Sequence, residues 1–390
     1  MRVLIASDTY HPHVNGASYF TQRLARALAD AGHTVAVISP SLSVHNTDSM
    51  WGAVRRFGVR SFPIGIVPRF RFVLPFVINR AIRHAIEEFK PEIVHIQMHF
   101  FISRAALNAA RKLGIPVVAT NHFMPDNLTH YLHLPTFITK GIHRLAWADA
   151  ARVFHKTRAM SAPTRTAVGL MQPQLNQAML AISNGIDLKR FNPSNDVTPA
   201  QKQYNLPKKP TLLFVGRLDK EKQVDVVLRA FAEALTKVDF HFVAAGHGAE
   251  EGKLKKLAQT LGVEKNVTFT GFVPDELLPS LYAAANCFVI AGIAELQCIV
   301  AMEAMATGLP ILGARAVALP ELIHHGENGF LFEPGSAEDL AARLVEVFSN
   351  EVAHKQMGRK SLEIIAEHDI SRTLEQFEDF YRTAIAGGVS

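Results

Sequence analysis

Two glutamates interrupt an otherwise almost uncharged run of sequence, AELQCIVAMEAMATGLP at positions 294–310. An unpaired carboxylate is costly to bury, so each glutamate is expected to have a partner or a ligand. The run predicts a short helix over about 298–307, which ends at a glycine and a proline. We expect Glu295 in the loop before this helix and Glu303 inside it, both addressing a phosphate-containing ligand at the helix N-terminus. The alternative is two surface glutamates at the edge of a core helix.

A second charged stretch, GRLDKEKQ at positions 216–223, directly follows an apolar, strand-like run. Its Arg217 and Lys222 can both reach a diphosphate, the arginine through its planar fork and the lysine as a point charge. No two aspartates of the chain are separated by a single residue, so there is no Asp-x-Asp pair to hold a divalent cation. The positive charge must then come from the protein, and we predict no metal site.

Further polar groups stand at predicted strand ends. Asn15 and Gly16 lie between the first predicted strand and helix, where a glycine lets the backbone approach a ligand. The surrounding sequence lacks the G-x-G-x-x-G fingerprint, which argues against NAD, and a plain turn is the alternative. His122 follows the apolar VVAT. His95 and His99 lie on strand-like sequence rather than on a helix, which argues against a metal pair.

Basic residues are concentrated in the first half of the chain. Residues 1–190 contain 22 Lys and Arg against 9 Asp and Glu, whereas residues 191–390 contain 19 against 26. This asymmetry predicts that the first half faces an anionic partner. The sequence matches no RNA-binding sheet, helix-turn-helix or zinc-finger pattern, so nucleic acid is not the expected partner.

Many of these basic residues surround an aromatic segment at 55–85. Basic residues near an anionic membrane gain about 1 kcal/mol each, and aromatic side chains insert at the interface. We therefore expect a membrane or acceptor surface here. Its core residues are Arg55, Arg56, Arg69, Phe70, Arg71 and Phe72. The alternative is a substrate loop followed by a core helix with solvated arginines.

The bulk composition is that of a folded globular protein, with 390 residues of which 48% are hydrophobic and 19% are charged. This length favours two domains over one. The first apolar run is too short for a signal peptide, and no stretch approaches the roughly 18 uncharged residues of a membrane span. The sequence therefore predicts a cytosolic protein. Its two cysteines, Cys287 and Cys298, are expected to be reduced core thiols.

Strand-like apolar runs alternate with helical patterns in both halves of the chain. The predicted strands are 2–7, 34–39, 92–97, 115–120, 211–216, 240–246, 266–271, 287–292 and 310–315. This rhythm restarts after a Pro-rich interval and predicts an α/β protein with two doubly wound, Rossmann-like domains facing a cleft. The expected domains are 1–190 with a C-terminal helix in 371–390, and 191–370.

The combination of motifs resembles the retaining glycosyltransferases of family 4, which have the two-domain GT-B fold. The similarity runs nearly the whole length of the chain. It is carried by Asn15–Gly16, TNHF around His122, NGID at 184–187, FVGRLDKEK at 214–222, and Glu295 and Glu303 before ATGLP. Together these motifs are specific to the family, although each alone is not.

The resemblance implies a role for each matched residue. Glu303 would bind the ribose hydroxyls of a nucleotide-sugar, and Glu295 the hydroxyls of the donor sugar. Arg217 and Lys222 would hold the diphosphate. His122 would lie beside the transferred sugar.

Backbone groups would assist these side chains. The N–H groups near Cys298 and Ile299 would contact the diphosphate, and Asn15–Gly16 would close over the phosphates from the first domain, which would bind the acceptor. The catalytic residues implied are His122, Glu295, Arg217 and Lys222. No cofactor is implied beyond the UDP- or GDP-linked donor substrate.

The chain departs from the family pattern around the donor sugar. Positions 295–299 read Glu-Leu-Gln-Cys-Ile where many members have Glu-Gly-aromatic-Gly-Leu. Gln223 stands where a glycine often follows the diphosphate lysine, and Ala291–Gly292 replaces a common Pro-Ser. The sugar can therefore not be carried over from the commonest members. These positions are similar to those of bacterial glycolipid synthases and mannosyltransferases.

These features predict a metal-independent, retaining enzyme that moves a hexose to a membrane lipid of the diacylglycerol or glycolipid type. Such a protein would act peripherally at the inner face of the cell membrane. A soluble sugar or oligosaccharide acceptor is the first alternative. A protein that only binds sugar nucleotides and an epimerase are further alternatives, which donor consumption with and without an acceptor would separate.

Overall fold

The protein divides into two compact units in the computed structural model. The structure describes residues 1–10, 15–63, 71–73, 75–122 and 136–388. Unit 1 comprises residues 1–185 and 370–390, and unit 2 comprises residues 186–369. The boundaries expected from the sequence are 190/191 and 370/371.

Unit 1 is built on a mostly parallel sheet. Its described strands are β1 (Arg2–Ala6), β2 (Thr34–Pro40), β3 (Thr47–Trp51), β4 (Val54–Val59), β5 (Phe62–Pro63), β6 (Arg71–Phe72), β7 (Ile93–Ile96), β8 (Val117–Thr120), β9 (Ala159–Ala162) and β10 (Leu180–Ala181). Its helices up to this point are α1 (Gly16–Asp30), α2 (Pro75–Phe89), α3 (Phe101–Lys112), α4 (Thr136–Phe154) and α5 (Arg165–Leu175). The sheet order is β10-β9-β8-β7-β1-β2-β4-β3, and β5 pairs with β6. The edge strand β3 runs antiparallel to β4.

The strands predicted in the first half are confirmed, because their apolar runs are buried on both faces as parallel strands require. The edge strand β3 was not predicted, since its sequence TDSMW is mostly exposed and has no apolar run. Helix α1 begins at Gly16, two residues before the start at Ser18 that the sequence pattern predicts. The reason is Asn15, whose side chain caps the helix by accepting a hydrogen bond from the Ser18 N–H at 2.9 Å.

Unit 2 is a second parallel α/β unit. Its strands are β11 (Thr211–Val215), β12 (His241–Ala245), β13 (Val267–Gly271), β14 (Cys287–Ile290), β15 (Ile311–Ala314) and β16 (Gly329–Phe332). Its helices are α6 (Thr198–Tyr204), α7 (Val224–Ala234), α8 (Glu251–Thr260), α9 (Leu278–Ala283), α10 (Ile299–Ala306), α11 (Leu319–Leu322), α12 (Ala337–Ser349) and α13 (Glu351–Ile365). The strands predicted in this half are confirmed, whereas β16 was not predicted.

The strand order of unit 2 is β13-β12-β11-β14-β15-β16. All neighbouring strands are parallel. From β11 the chain adds strands on one side of the sheet up to β13, and from β14 it adds them on the other side, so the switch point lies between β11 and β14. The loops after β11 and β14 therefore leave the same edge of the sheet side by side. Doubly wound sheets bind their ligands at this position. The topology thus brings residues 216–223 next to residues 291–298.

The C-terminal helix α14 (Ile370–Ile385) belongs to unit 1. Its Phe377 and Tyr381 are fully buried in the same core as Phe20 of α1. His33, just before β2, places its Nε2 2.7 Å from Glu378 Oε1 of this helix. The last helix of the chain therefore completes the core of the unit that the first strand begins.

Candidate active site

The candidate site begins where the loop after β11 meets the loop after β14. Lys222 closes a short 3-10 helix and donates a hydrogen bond from Nζ to Glu295 Oε1 at 2.5 Å. A Cβ on Gly292 would lie 3.1 Å from the same carboxylate oxygen, so the glycine leaves room for the pair. Burial opposes the charge of Lys222, but the Glu295 carboxylate raises the pKa of the lysine above its usual value. The site therefore holds a permanent cation.

Arg217 lies in the same loop and is held by two carboxylates. Its Nη1 donates to Asp219 Oδ2 at 2.6 Å, and its Nη2 donates to Glu221. Asp219 also accepts a hydrogen bond from the Ala249 N–H at 3.0 Å, which fixes the carboxylate. These contacts orient the guanidinium and partly neutralise it. For its guanidinium to donate two hydrogen bonds to a diphosphate, Arg217 must release a carboxylate and bind phosphate oxygens in its place.

A glycine loop after β12, at Gly246–Gly248, packs against the Arg217 loop and was missed as a site element. A Cβ on Gly246 would lie 1.9 Å from the Gly216 carbonyl oxygen, and a Cβ on Gly248 would lie 2.3 Å from the backbone of Leu218. Only glycines allow this approach, and Gly246 has a positive φ of 140°. The loop also places His247 at this edge. A Gly-x-Gly directly after a predicted strand was the available signal.

The N-terminus of α10 is the second source of positive potential. Cys298 precedes the helix with a φ of 61° and makes no side-chain cap hydrogen bond. The first amide N–H groups of a helix, here those of Ile299 and Val300, have no acceptor within the helix, whereas the Ala301 N–H donates to the Cys298 carbonyl at 3.0 Å. Burial raises the pKa of the Cys298 thiol well above its usual value, and the charges of Glu295, Lys222 and Glu303 act on the same thiol. The thiol therefore stays protonated.

The two glutamates of the 294–310 run have different partners. Glu295 binds Lys222, whereas Glu303 accepts a hydrogen bond from the Tyr282 hydroxyl to its Oε2 at 2.8 Å. Glu303 is only 4% exposed and Tyr282 is fully buried. Tyr282, on α9, could not be identified from the sequence because nothing links it to α10 before the chain folds. The Glu303 carboxylate is thus positioned by the protein itself.

Two positions where the family pattern has glycine keep a glycine-like backbone here. Gln223, directly after Lys222, has a φ of 49°, and Cys298 has a φ of 61°. Such left-handed conformations are disfavoured for residues with a Cβ and cost of order 1–3 kcal/mol each. Gln223 and Cys298 therefore hold backbone conformations that a glycine would adopt without strain.

In unit 1, the described residues explain Asn15 but give Gly16 no packing role. The Asn15 side chain caps α1 and also donates to Thr9 Oγ1 at 2.7 Å. Gly16 is exposed, and a Cβ added to it would meet nothing within 4 Å. Packing therefore does not require a glycine at this position, and the backbone is open to approach.

His122 follows β8 and is held in neutral form. Its Nε2 lies 3.0 Å from Gln97 Oε1, and its ring centroid lies 4.7 Å from that of Phe20. Burial lowers the pKa of His122 to about 3. Its chemistry is therefore that of a hydrogen-bonding imidazole and not of an acid.

The other two histidines of this sheet edge are also neutral. Burial lowers the pKa of His95 to about 3 and that of His99 to about 4. The His95 ring lies between the Tyr381 hydroxyl at 2.8 Å and Thr120 Oγ1 at 2.7 Å. Within the described part of the chain, no group of three His, Cys, Asp or Glu side chains could hold a metal ion.

The predicted membrane or acceptor surface is only partly described. Arg69 and Phe70 lie outside the described residues, and only the strand pairing of Phe72 with Phe62 is described. Arg71 donates from Nε to Ser61 Oγ at 2.6 Å. No helix of the described ranges combines the length and apolar character that a membrane crossing needs.

The adjacent arginines of this surface differ in their partners. Arg55 forms ion pairs with Asp48 at 2.6 Å and Glu88 at 3.4 Å. Arg56 instead stacks on Tyr10, with its guanidinium carbon 5.3 Å from the ring centroid. The paired Arg55 is therefore less available to a headgroup than the sequence suggested.

Two parallel α/β units, with paired cations and carboxylates at the switch point of the second, are the arrangement of a glycosyltransferase of the GT-B class. Family models match both units. The model described as "Glycosyltransferase Family 4" matches residues 14–190, and the model described as "Glycosyl transferases group 1" matches residues 196–363. The chain belongs to glycosyltransferase family 4 and is a hexosyltransferase.

Relatives of known activity match over nearly the whole chain. An alpha-monoglucosyldiacylglycerol synthase of Streptococcus pneumoniae is 27% identical over 396 residues, covering 97% of this chain and 86% of that protein. A GDP-mannose-dependent alpha-mannosyltransferase of Corynebacterium glutamicum is 26% identical over 387 residues, covering 99% of this chain and 90% of that protein.

Solved structures confirm the fold. A sucrose-phosphate synthase from Thermosynechococcus elongatus superposes with a TM-score of 0.83 at 20% identity, covering 99% of this chain and 100% of that chain. Anabaena HepE in complex with UDP-glucose superposes with a TM-score of 0.74 at 19% identity, covering 98% of this chain and 100% of that chain. The predicted fold class, two doubly wound α/β domains, is therefore correct.

Proposed function

We propose that the protein is a retaining glycosyltransferase that transfers a hexose from a UDP- or GDP-sugar to a membrane lipid, without a metal ion and at the cytoplasmic face. The observation that carries the proposal is the Lys222–Glu295 pair beside the N-terminus of α10, at the switch point of the unit 2 sheet. A cation and uncapped amide N–H groups suit a diphosphate. The neighbouring carboxylate suits the hydroxyls of a sugar.

The names of two similar proteins support a nucleotide-sugar donor. One is described as a complex with UDP-glucose, and the other is named as GDP-mannose-dependent. Lys222 and the N-terminus of α10 would hold the diphosphate, Glu295 the sugar hydroxyls and Glu303 the ribose hydroxyls. Arg217 would join by releasing Glu221 or Asp219 as the phosphate arrives. The planar fork of an arginine fits two phosphate oxygens as well as it fits carboxylates.

The proposed reaction needs no side-chain nucleophile. The bond between sugar C1 and the diphosphate oxygen breaks while the acceptor oxygen bonds to C1 on the same face. The acceptor proton passes to the leaving diphosphate. Since negative charge develops on that diphosphate, the contribution of Lys222 and Arg217 is electrostatic. His122, which burial keeps neutral, would donate or accept a hydrogen bond at the transferred sugar.

A lipid acceptor of the diacylglycerol or glycolipid type is supported by the name of the Streptococcus pneumoniae relative and by the basic residues of the first half. A soluble sugar or oligosaccharide acceptor is the second candidate. It is favoured by Arg55 and Arg71, because both guanidiniums already have partners within unit 1.

A transfer assay tests the proposal. Labelled UDP- and GDP-sugars are mixed with the full chain, a total lipid extract and EDTA, and the products are partitioned between organic and aqueous phases. Label in the organic phase is expected, with the anomeric configuration of the donor retained. A new product confined to water would move the acceptor to a soluble molecule. Donor consumption without an acceptor would indicate an epimerase. Transfer that occurs without EDTA but not with EDTA would overturn metal independence.

A further inference from the structure

Arg56 differs from its neighbour Arg55 because successive residues of a strand face opposite sides of the sheet. Arg55 points toward Asp48 and Glu88 of α2, which balance its charge. Arg56 pairs in register with Val37, whose side chain lies in the core beneath α1. The two arginines therefore lie on different faces of unit 1 and have different chemical surroundings.

The Arg56 side has donors without acceptors. Among the described residues, Arg56 makes no hydrogen bond and no ion pair, and its buried Nε has no partner. The Tyr10 hydroxyl is buried, with the residue only 1% exposed, and it also has no partner in the described ranges. The same is true of the fully buried Ser39 hydroxyl, one pleat beyond Val37 on the same face of β2. Unsatisfied buried polar groups are rare in folded proteins because each one costs stability.

A second cation stands at the same place. Arg26 of α1 stacks on Trp51 at 5.1 Å, and the Trp51 ring meets the Tyr10 ring edge-on at 6.1 Å. Burial raises the pKa of Tyr10 to about 12, against the opposing charges of Arg56 and Arg26, so both guanidiniums lie within electrostatic reach of the hydroxyl. Within the described ranges no carboxylate pairs with either arginine. Two cations, one of them half-buried, therefore share a region with no counterion.

We propose that Arg56, Arg26 and Tyr10 form an anion-binding site on the α1 face of unit 1, which takes the phosphate or carboxylate group of the acceptor. The assignment as an acceptor subsite rests on the proposed function, whereas anion binding does not. An oxyanion would supply the missing countercharge to both guanidiniums and an acceptor for the Tyr10 hydroxyl. The aromatic rings hold the arginines in place before the anion arrives.

Glycerol 3-phosphate is the probe, and its binding to the full chain is measured by calorimetry with saturating UDP and GDP present, so that the donor site cannot contribute. We expect Arg56→Gln to weaken binding about 10-fold or more, since it removes a charge-assisted hydrogen bond. Tyr10→Phe is expected to weaken binding several-fold without lowering the melting temperature, because the hydroxyl has no partner among the described residues. Equal losses in Arg55→Gln and Arg56→Gln would show general electrostatic attraction and overturn the site. No binding to the wild-type chain at millimolar probe would also overturn it.

Vesicles distinguish the two sources of the anion. A preference for phosphatidylcholine vesicles containing phosphatidic acid, lost in Arg56→Gln and not in Arg55→Gln, would assign the site to a lipid headgroup. Probe binding with no vesicle preference would assign it to a soluble anionic acceptor. Both results support the site, and neither depends on transfer. Failure of the transfer assay with intact probe binding would therefore remove the proposed function and leave the anion site.

Discussion

At the scale of single residues, the site is a set of charges that balance one another before any substrate arrives. Lys222 is bound to Glu295, and Arg217 is bound to Asp219 and Glu221. A diphosphate therefore replaces existing partners instead of meeting unpaired cations. This arrangement limits the cost of two cations at the empty site, and it makes the pairing partners as testable as the cations.

Lys222 gives the most direct test of the electrostatic mechanism. Lys222→Ala is expected to lower kcat by about 10²-fold or more, because the charge developing on the diphosphate loses its point cation. Lys253→Ala removes an exposed lysine of α8 that, within the described part of the chain, pairs only with Glu250; it is the control and should keep the wild-type rate. Steady-state rates with the productive donor decide the matter. Near-normal turnover of Lys222→Ala would remove the lysine from the mechanism.

Gln223 is strained and offers a gain of stability. Its φ is 49°, and its buried side-chain oxygen has no partner among the described residues. Gln223→Gly should therefore raise the free energy of unfolding by about 1 kcal/mol, since both costs are removed. Asn205→Gly, at a φ of 48°, is the matched control and should change little because asparagine tolerates this conformation. Denaturant titration of both variants measures the difference, and a destabilised Gln223→Gly would contradict the strain argument.

At the scale of elements, the site depends on loops that converge only after the sheet forms. Lys222 and Glu295 are far apart in the sequence, and the switch between β11 and β14 brings them to 2.5 Å. Strands β11 and β14 themselves could be predicted, because each has a continuous apolar run that is buried in the parallel sheet. The Lys222–Glu295 and Tyr282–Glu303 pairs could not, because pairing follows from strand order and not from local pattern. The exposed β3 escaped prediction for the opposite reason, since it has no apolar run.

The contact between the loops after β11 and β12 predicts a clear contrast between two glycines. Gly246→Ala would place a Cβ 1.9 Å from the Gly216 carbonyl oxygen, so the Arg217 loop must shift. We expect lower stability and a loss of activity of at least 10-fold, as a misplacement of about 1 Å costs about 10²-fold. Gly252→Ala, in α8 with nothing within 4 Å, should instead gain about 0.5–1 kcal/mol. Thermal unfolding and rate measurements on both variants test the pair, and an active, stable Gly246→Ala would show that the loops adjust freely.

At the scale of the whole molecule, the basic residues counted in the first half of the sequence differ in whether the protein balances their charge. Unit 1 carries most of the basic residues, yet Arg55 and Arg71 are bound to the protein while Arg56 and Arg26 are not balanced by carboxylates in the described ranges. The composition of unit 1 predicts the sign of the charge on its partner. Arg55 has carboxylate partners and Arg56 has none among the described residues, because successive side chains of β4 lie on opposite faces of the sheet.

Unit 1 also buries three histidines in neutral form, which makes its stability depend on pH. The pKa values of His95 and His122 are lowered to about 3 and that of His99 to about 4, whereas an unfolded chain has values of about 6.5. Between these values the unfolded state binds more protons. The free energy of unfolding should therefore fall as the pH drops below about 6.5, by up to about 1.4 kcal/mol per histidine and pH unit.

Proton uptake on unfolding measures this effect. Calorimetric unfolding at pH 5.5 in buffers of different ionisation enthalpy should show an uptake that is reduced by nearly one proton in His122→Gln. The exposed His45→Gln is the control variant. An unchanged uptake in His122→Gln would mean that this imidazole is not held neutral.

The position of α14 determines the order in which the two units can complete folding during synthesis. Domains of a growing chain ordinarily fold in turn, the N-terminal one first. Here Phe377 and Tyr381, which are synthesised after the whole of unit 2, complete the core that contains Val3 and Ile5. Of these two units, unit 1 therefore begins to be synthesised first but can finish folding only after unit 2 has been made. Unit 2, whose chain is continuous, can fold while unit 1 still waits for its final helix.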